Sequence, residues 1–278
     1  MSRAPVIGLA LGSGGARGWA HIGVIEGLLA LGIRPAVVTG TSIGALVGAM
    51  FAAGVWERFV AEAKALNWVR LVKFFAEFHW PRHGLLSGQP ICAWLAQEEL
   101  LGQRRAEDLA VTFAAVATDL DAEQAVVLHT GRLTELVRAS ISIPGVFDPV
   151  LREGRVLVDG GLTEPVPVQA ARDLGATCVI GVDINAFGGK PPRTARKKPS
   201  LMGTLMQTLR IVENEVCRLT LSQRPADVLI GPPTGFIQTL DFAGGRAGVE
   251  LGYQAVMDAR ETLLGALEKG REDHVLQA

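Results

Sequence analysis

The chain has 278 residues, with 27 basic and 28 acidic side chains for a formal net charge of −1, and it is 49% hydrophobic and 20% charged. That balance argues against a disordered chain and against nucleic acid as a partner. Cys92, Cys178 and Cys217 stand far apart with no histidine cluster beside them, so neither a disulfide framework nor a zinc site is expected, and a reducing cytoplasm is. Against a prior of about 150 residues per domain, the length falls between one and two units, and the α/β pattern below reads as one domain over residues 1–278. The opening residues show no secretion signal.

In chain order, the pattern predicts an apolar strand over 6–11, a glycine-rich turn, a helix from about 16 to 31, a strand over 36–39 and a helix over 43–53. Such a βαβα opening marks a parallel sheet. Residues 35–56 carry no formal charge and are long enough to cross a bilayer, but Gly40, Thr41, Ser42, Gly44, Gly48 and Gly54 interrupt them. A buried strand, turn and helix is the better reading. Further strands are predicted over 111–117, 124–129, 156–158, 178–182 and 227–230, and helices near 90–101, 134–140 and 166–174, for a sheet of about six strands.

Two stretches depart from this rhythm. Residues 68–86 concentrate Trp68, Phe74, Phe75, Phe78 and Trp80 in a chain that is 6% aromatic; a helix with a buried aromatic face is favoured over a lid. Residues 188–200 hold Lys190, Arg193, Arg196, Lys197 and Lys198 with Pro191, Pro192 and Pro199 and no acid, which reads as a flexible, solvated basic loop with some capacity to touch anionic headgroups. The following Leu201, Leu205, Leu209, Val212, Val216 and Leu219 are at helical spacing, and the expectation is a helix covering its own core.

Chemistry concentrates at strand ends. Gly40-Thr41-Ser42-Ile43-Gly44 is a G-x-S-x-G sequence between a predicted strand and a predicted helix, the context in which a serine nucleophile is held at a sharp turn. The run Gly12-Ser13-Gly14-Gly15-Ala16-Arg17-Gly18 follows the first strand, where backbone N–H groups and a helix N-terminus attract an anion. A dinucleotide fingerprint would want a third glycine where Arg17 stands and an acid after the second strand. Both are missing, so an oxyanion hole with Gly14 and Gly15 as donors is the better reading. The histidines His21, His79, His83, His129 and His274 fit a triad poorly, since only Asp159 followed by His274, in a tail expected to fray, imitates the usual chain order. Asp159-Gly160-Gly161, after the apolar strand at 156–158, supplies a carboxylate at a sharp turn that can act as base for Ser42 without an imidazole.

Taken together, the loop with Arg17 and Gly18, the extension Trp19-Ala20-His21-Ile22-Gly23-Val24, the elbow from Gly40 to Gly44, the segment Ala139-Ser140-Ile141-Ser142-Ile143-Pro144-Gly145 with Phe147 and Pro149, and Asp159-Gly160-Gly161 form an ordered set. It resembles the patatin-like phospholipase family, particularly bacterial single-domain members similar to the catalytic domain of neuropathy target esterase. The resemblance implies a three-layer α/β fold with a mostly parallel sheet flanked by helices. It also implies a Ser42–Asp159 dyad, Gly14 and Gly15 as oxyanion donors, and hydrolysis of phospholipids, lysophospholipids or simpler esters. Ser13 departs from the pattern, since many members have another glycine there. No metal and no cofactor are expected. The expected partner is a lipid or ester substrate with transient membrane-surface contact, at the inner face of the cytoplasmic membrane, and the oligomeric state is left open. The competing reading is a non-catalytic module that keeps the fold and binds acyl lipid; intact Ser42 and Asp159 weigh against it.

Overall fold

The computed structural model describes residues 5–65, 86–185, 198, 200–239, 241 and 247–276. The aromatic segment up to residue 85 and most of the basic stretch 188–200 lie outside the described residues. The strands are β1 (Ile7–Leu11), β2 (Val37–Thr41), β3 (Thr112–Asp119), β4 (Gln124–Leu128), β5 (Val150–Arg152), β6 (Arg155–Asp159), β7 (Cys178–Val182) and β8 (Val228–Ile230). Among the described residues the helices are α1 (Trp19–Ala30), α2 (Ile43–Ala52), α3 (Trp56–Ala65), α4 (Gln89–Leu95), α5 (Leu133–Ser140), α6 (Val168–Asp173), α7 (Leu201–Gln223), α8 (Ala247–Asp258) and α9 (Arg260–Leu276).

The strands form one eight-stranded sheet of order β5-β6-β3-β2-β1-β7-β8, with β4 paired to β3 off that path. Pairing is parallel from β3 through β2, β1 and β7 to β8, and antiparallel where β3 meets β4 and β6 and where β5 meets β6. Alternation along β1 separates two cores. Leu9 and Leu11 join α1, α2 and α8 residues such as Ile22, Met50 and Val256, whereas Ala10 joins Val168, Ala171 and Cys217 of α6 and α7. Successive side chains of a strand point to opposite faces, so these clusters are the two sides of one sheet, each covered by helices. The fold is thus three layers, α/β/α, with a mostly parallel centre.

Several boundaries differ from the sequence expectations. Among the described residues the sheet has eight strands rather than about six. The missing edge, β5, is three residues long with Leu151 75% exposed, too short to show an apolar run. The first helix opens as a 3-10 turn, Gly15–Gly18, before α1 starts at Trp19, with Arg17 N–H donating to Gly14 C=O three residues back and Ala16 N–H to Thr239 C=O. The helix expected near 90–101 ends at Leu95, and Leu100 and Leu101 fill the core from turns. That expected over 166–174 starts at Val168, after Pro165 and Pro167. At the C-terminus, where fraying was expected, α8 and α9 follow each other as helices to Leu276. Helix α8 packs on α1 backbone to backbone: a side chain on Gly23 would strike Val249 C=O, and one on Gly252 would strike Ala20 C=O.

Candidate active site

Strand register builds the site. Ala115 and Val116 of β3 pair with both β2 and β4, and Ala117, Thr118 and Asp119 pair with both β4 and β6. A strand has two edges, so β2 and β6 must lie end to end along the edge of β3 that β4 leaves free. Thr41 sits opposite Val116 and Asp159 opposite Ala117, the next residue. The ends of two strands distant in sequence therefore meet head to head, and Ser42 Oγ donates to Asp159 Oδ2 at 2.6 Å. Both residues are buried, at 5% and 3% exposure.

Ser42 has φ 57° and ψ −121°, a strained conformation for a residue with a side chain. The turn can be this tight because a Cβ on Gly40 would meet the Gly44 backbone and one on Gly44 would meet Leu11 C=O. Ser140 at the end of α5 fixes the turn from the side: Ser42 N–H donates to Ser140 Oγ at 2.9 Å, and Ser140 Oγ donates to Val116 C=O at 2.6 Å. The following loop is clamped by Arg138, which donates to Ser142 Oγ and to the carbonyls of Ser87 and Asp148 at 2.6–2.8 Å and lies over the Phe147 ring. Ser142 C=O in turn accepts from Asp159 N–H. The Ser-Ile-Ser-Ile-Pro-Gly segment thus braces both halves of the pair.

Asp159 Oδ1 accepts from Gly161 N–H at 2.9 Å, leaving Oδ2 for Ser42. Burial pushes its carboxyl up to about 6, against the opposing pull of the Ser42 and Gly161 hydrogen bonds. A carboxylate so placed has the distance and the near-neutral basicity of a general base.

Because β1 pairs with β2 and β7 in register, Leu11 beside Gly40 and Val182, the glycine loop emerges next to the serine turn. Its amides divide cleanly. Gly12 N–H donates to Val182 C=O, Ser13 to Pro165, Ala16 to Thr239 and Arg17 to Gly14. Those of Gly14 and Gly15 find no acceptor among the described residues, and both glycines line a small cleft with Ser42 and Asp159. Arg17 is buried and turned inward: Nη1 donates to Gly14 C=O, Asn185 Oδ1 and Thr239 Oγ1. Burial, then Arg210, lowers its guanidinium to about 10. Asn185 Nδ2 closes the clamp on Ser13 C=O.

His21, fully buried in α1, holds Gly12 C=O through Nε2 at 2.8 Å, and its Nδ1 has no hydrogen-bond partner among the described residues. Burial lowers it to about 4, so it is a neutral brace for the loop. His129 is exposed after β4; His79 and His83 lie outside the described residues, and His274 falls in α9.

Sequence reasoning missed one group here, Glu213 of α7. Met206, Leu209, Arg210 and Glu213 from this helix line the cleft with Ile143, and Ser13 Oγ donates to Glu213 Oε2 at 3.4 Å. The departure at Ser13 thus has a partner. The expectation that α7 simply covers a core needs correction: Cys217 is its sole buried residue, while Leu201, Ile211, Val212 and Leu219 are 44–89% exposed. One side of α7 faces the cleft and another faces solvent.

These features define an α/β protein whose serine turn and partner carboxylate meet at the carboxyl edge of a parallel sheet, beside a glycine loop. Within that class the chain belongs to the patatin-like phospholipase family, whose sequence profile matches residues 9–172. A Mycobacterium tuberculosis protein described as an NTE family protein is 39% identical over 194 residues, covering 70% of this chain and 53% of its own. The chain therefore spans about half the length of that relative. Lysophospholipase NTE1 of Coccidioides immitis is 27% identical over 271 residues, 89% of this chain and 17% of that one. VipD of Legionella pneumophila aligns with a TM-score of 0.49 at 13% identity, covering 97% of this chain and 68% of that chain. Among the described residues no helix is long and apolar enough to cross a membrane, including the uncharged stretch that forms β2 and α2.

Proposed function

We propose that this protein is a serine acyl-ester hydrolase acting on lipid esters such as phospholipids or lysophospholipids. The observation that carries the reading is the 2.6 Å hydrogen bond from Ser42 Oγ to Asp159 Oδ2. Ser42 attacks the ester carbonyl as Asp159 accepts its proton. The developing oxyanion is held by the N–H groups of Gly14 and Gly15, which the rest of the loop leaves unused. Asp159 returns the proton to the departing alcohol, and water then cleaves the acyl-enzyme by the same route in reverse. The naming of the fungal relative as a lysophospholipase supports a lipid ester as substrate. The apolar Ile143, Met206 and Leu209 in the cleft suit an acyl chain, and an aggregated lipid substrate implies transient contact with a membrane surface.

The test is a fluorophosphonate probe with peptide mapping, alongside turnover of p-nitrophenyl esters and lysophosphatidylcholine. Wild-type protein should label once, at Ser42, and Ser42→Ala should abolish both labelling and turnover. Asp159→Asn should lower turnover by about 10²–10⁴-fold, the usual contribution of a positioned base. Undiminished hydrolysis by Ser42→Ala would overturn the reading.

A further inference from the structure

Glu213 comes to the cleft from α7, far in sequence from the serine turn, and faces charged or titratable groups from every element around it. From the glycine loop, Ser13 Oγ donates to Oε2 at 3.4 Å. Arg17 approaches from the 3-10 turn. From the turn after β6, Glu213 and Asp159 crowd one point: the Cβ position of Gly161 lies 2.8 Å from Glu213 Oε1 and 3.2 Å from Asp159 Oδ1. On its own helix, Arg210 lines the same cleft, and Cys217 lies on the side toward Asp183.

Two carboxyl groups in so small a cleft do not readily ionise together. The guanidinium whose charge acts on Glu213, Arg17, already donates to Gly14, Asn185 and Thr239. We propose that Glu213 is a positioning residue of this site: its carboxyl stays protonated during turnover, leaving Asp159 the one carboxylate facing Ser42, and its ionisation at alkaline pH stops turnover by setting a second negative charge beside the glycine loop. The inference rests on the roles of Ser42, Asp159 and the loop given under Proposed function. Burial and the Asp159 charge hold the Glu213 carboxyl up at about 8, against the opposing pull of Ser13 and Arg17. Asp159 accepts from Ser42 Oγ and Gly161 N–H at 2.6 and 2.9 Å, whereas the side-chain donor to Glu213 is Ser13 Oγ at 3.4 Å, so the single charge is better held on Asp159. While the pair carries one charge, a transition state that develops an oxyanion meets one neighbouring carboxylate rather than two.

The experiment is the pH profile of kcat/KM for wild type and Glu213→Gln, with Ser42→Ala as control. Wild type should rise with Asp159 ionisation and fall about tenfold per pH unit on the alkaline side of Glu213 ionisation. In Glu213→Gln, which is uncharged at every pH, the acid limb should stay and the alkaline fall should disappear; Glu213→Asp should restore a fall. An alkaline limb shared by wild type and Glu213→Gln would overturn the proposal while leaving the dyad standing. Turnover by Ser42→Ala would instead remove the dyad reading and this proposal with it. Should Glu213→Gln lack a cooperative melt, the wild type decides. A carboxylic-acid carbonyl band in the infrared at neutral pH that is lost on alkaline titration supports the proposal, and its absence overturns it.

Discussion

Burial makes Asp159 a reluctant anion, and that reluctance has a sign. Its folded-state value, about 6, lies above the ordinary carboxyl value of 3.8, so the native state holds this proton more tightly than the unfolded chain does. The resulting stabilisation is fully present below about pH 4 and is lost as pH rises through about 6. At neutral pH the native protein therefore keeps a buried charge at a cost of up to about 3 kcal/mol. Asparagine fits the same space: its oxygen can accept from Gly161 and its amide can face Ser42 Oγ. Asp159→Asn should consequently melt a few degrees above wild type at neutral pH, with the gain vanishing on acidification; calorimetry across pH checks this. Ser42 and Asp159 were legible in the sequence because each stands at a strand end among glycines, a local signature. Glu213 was not. Four residues after Leu209 and three before Val216, it falls beside the apolar stripe of the helix, and only packing shows that this flank meets Ser13.

At the scale of elements, apolar runs revealed the parallel strands because both their faces are buried. What was lost were elements lacking such a run: β5, with its exposed Leu151, α8, whose contact with α1 is made through glycines, and the helices α3 and α9. The leucine spacing of α7 correctly announced a helix but said nothing about which side meets the protein, and most of its residues are exposed. Glycines also separate the tight joints from the loose ones. Gly44→Ala puts a methyl onto Leu11 C=O and should lower stability by about 1–3 kcal/mol or more by prising α2 from β1. Gly265→Ala, in exposed α9 with nothing within 4 Å of the new methyl, should raise it by about 0.5–1 kcal/mol. Chemical denaturation of the two variants reads the contrast directly.

For the whole molecule, the α/β class and its parallel sheet followed from alternation of strands and helices and the three layers from the family resemblance, while the assembly of the site did not. Nothing local says that the ends of β2 and β6 abut on one edge of β3; that is a property of register, visible once the sheet is closed. The abutment has a use. The exposed turn at Leu120–Glu123 joins β3 to β4, so severing the chain there parts a fragment bearing Ser42 and β3 from one bearing Asp159, Glu213 and β6. Neither piece holds both Ser42 and Asp159, and on the proposed reading ester cleavage returns only on mixing. The seam where two strand tips share one neighbour would then serve as a complementation reporter, its signal counting how often separate polypeptides find each other.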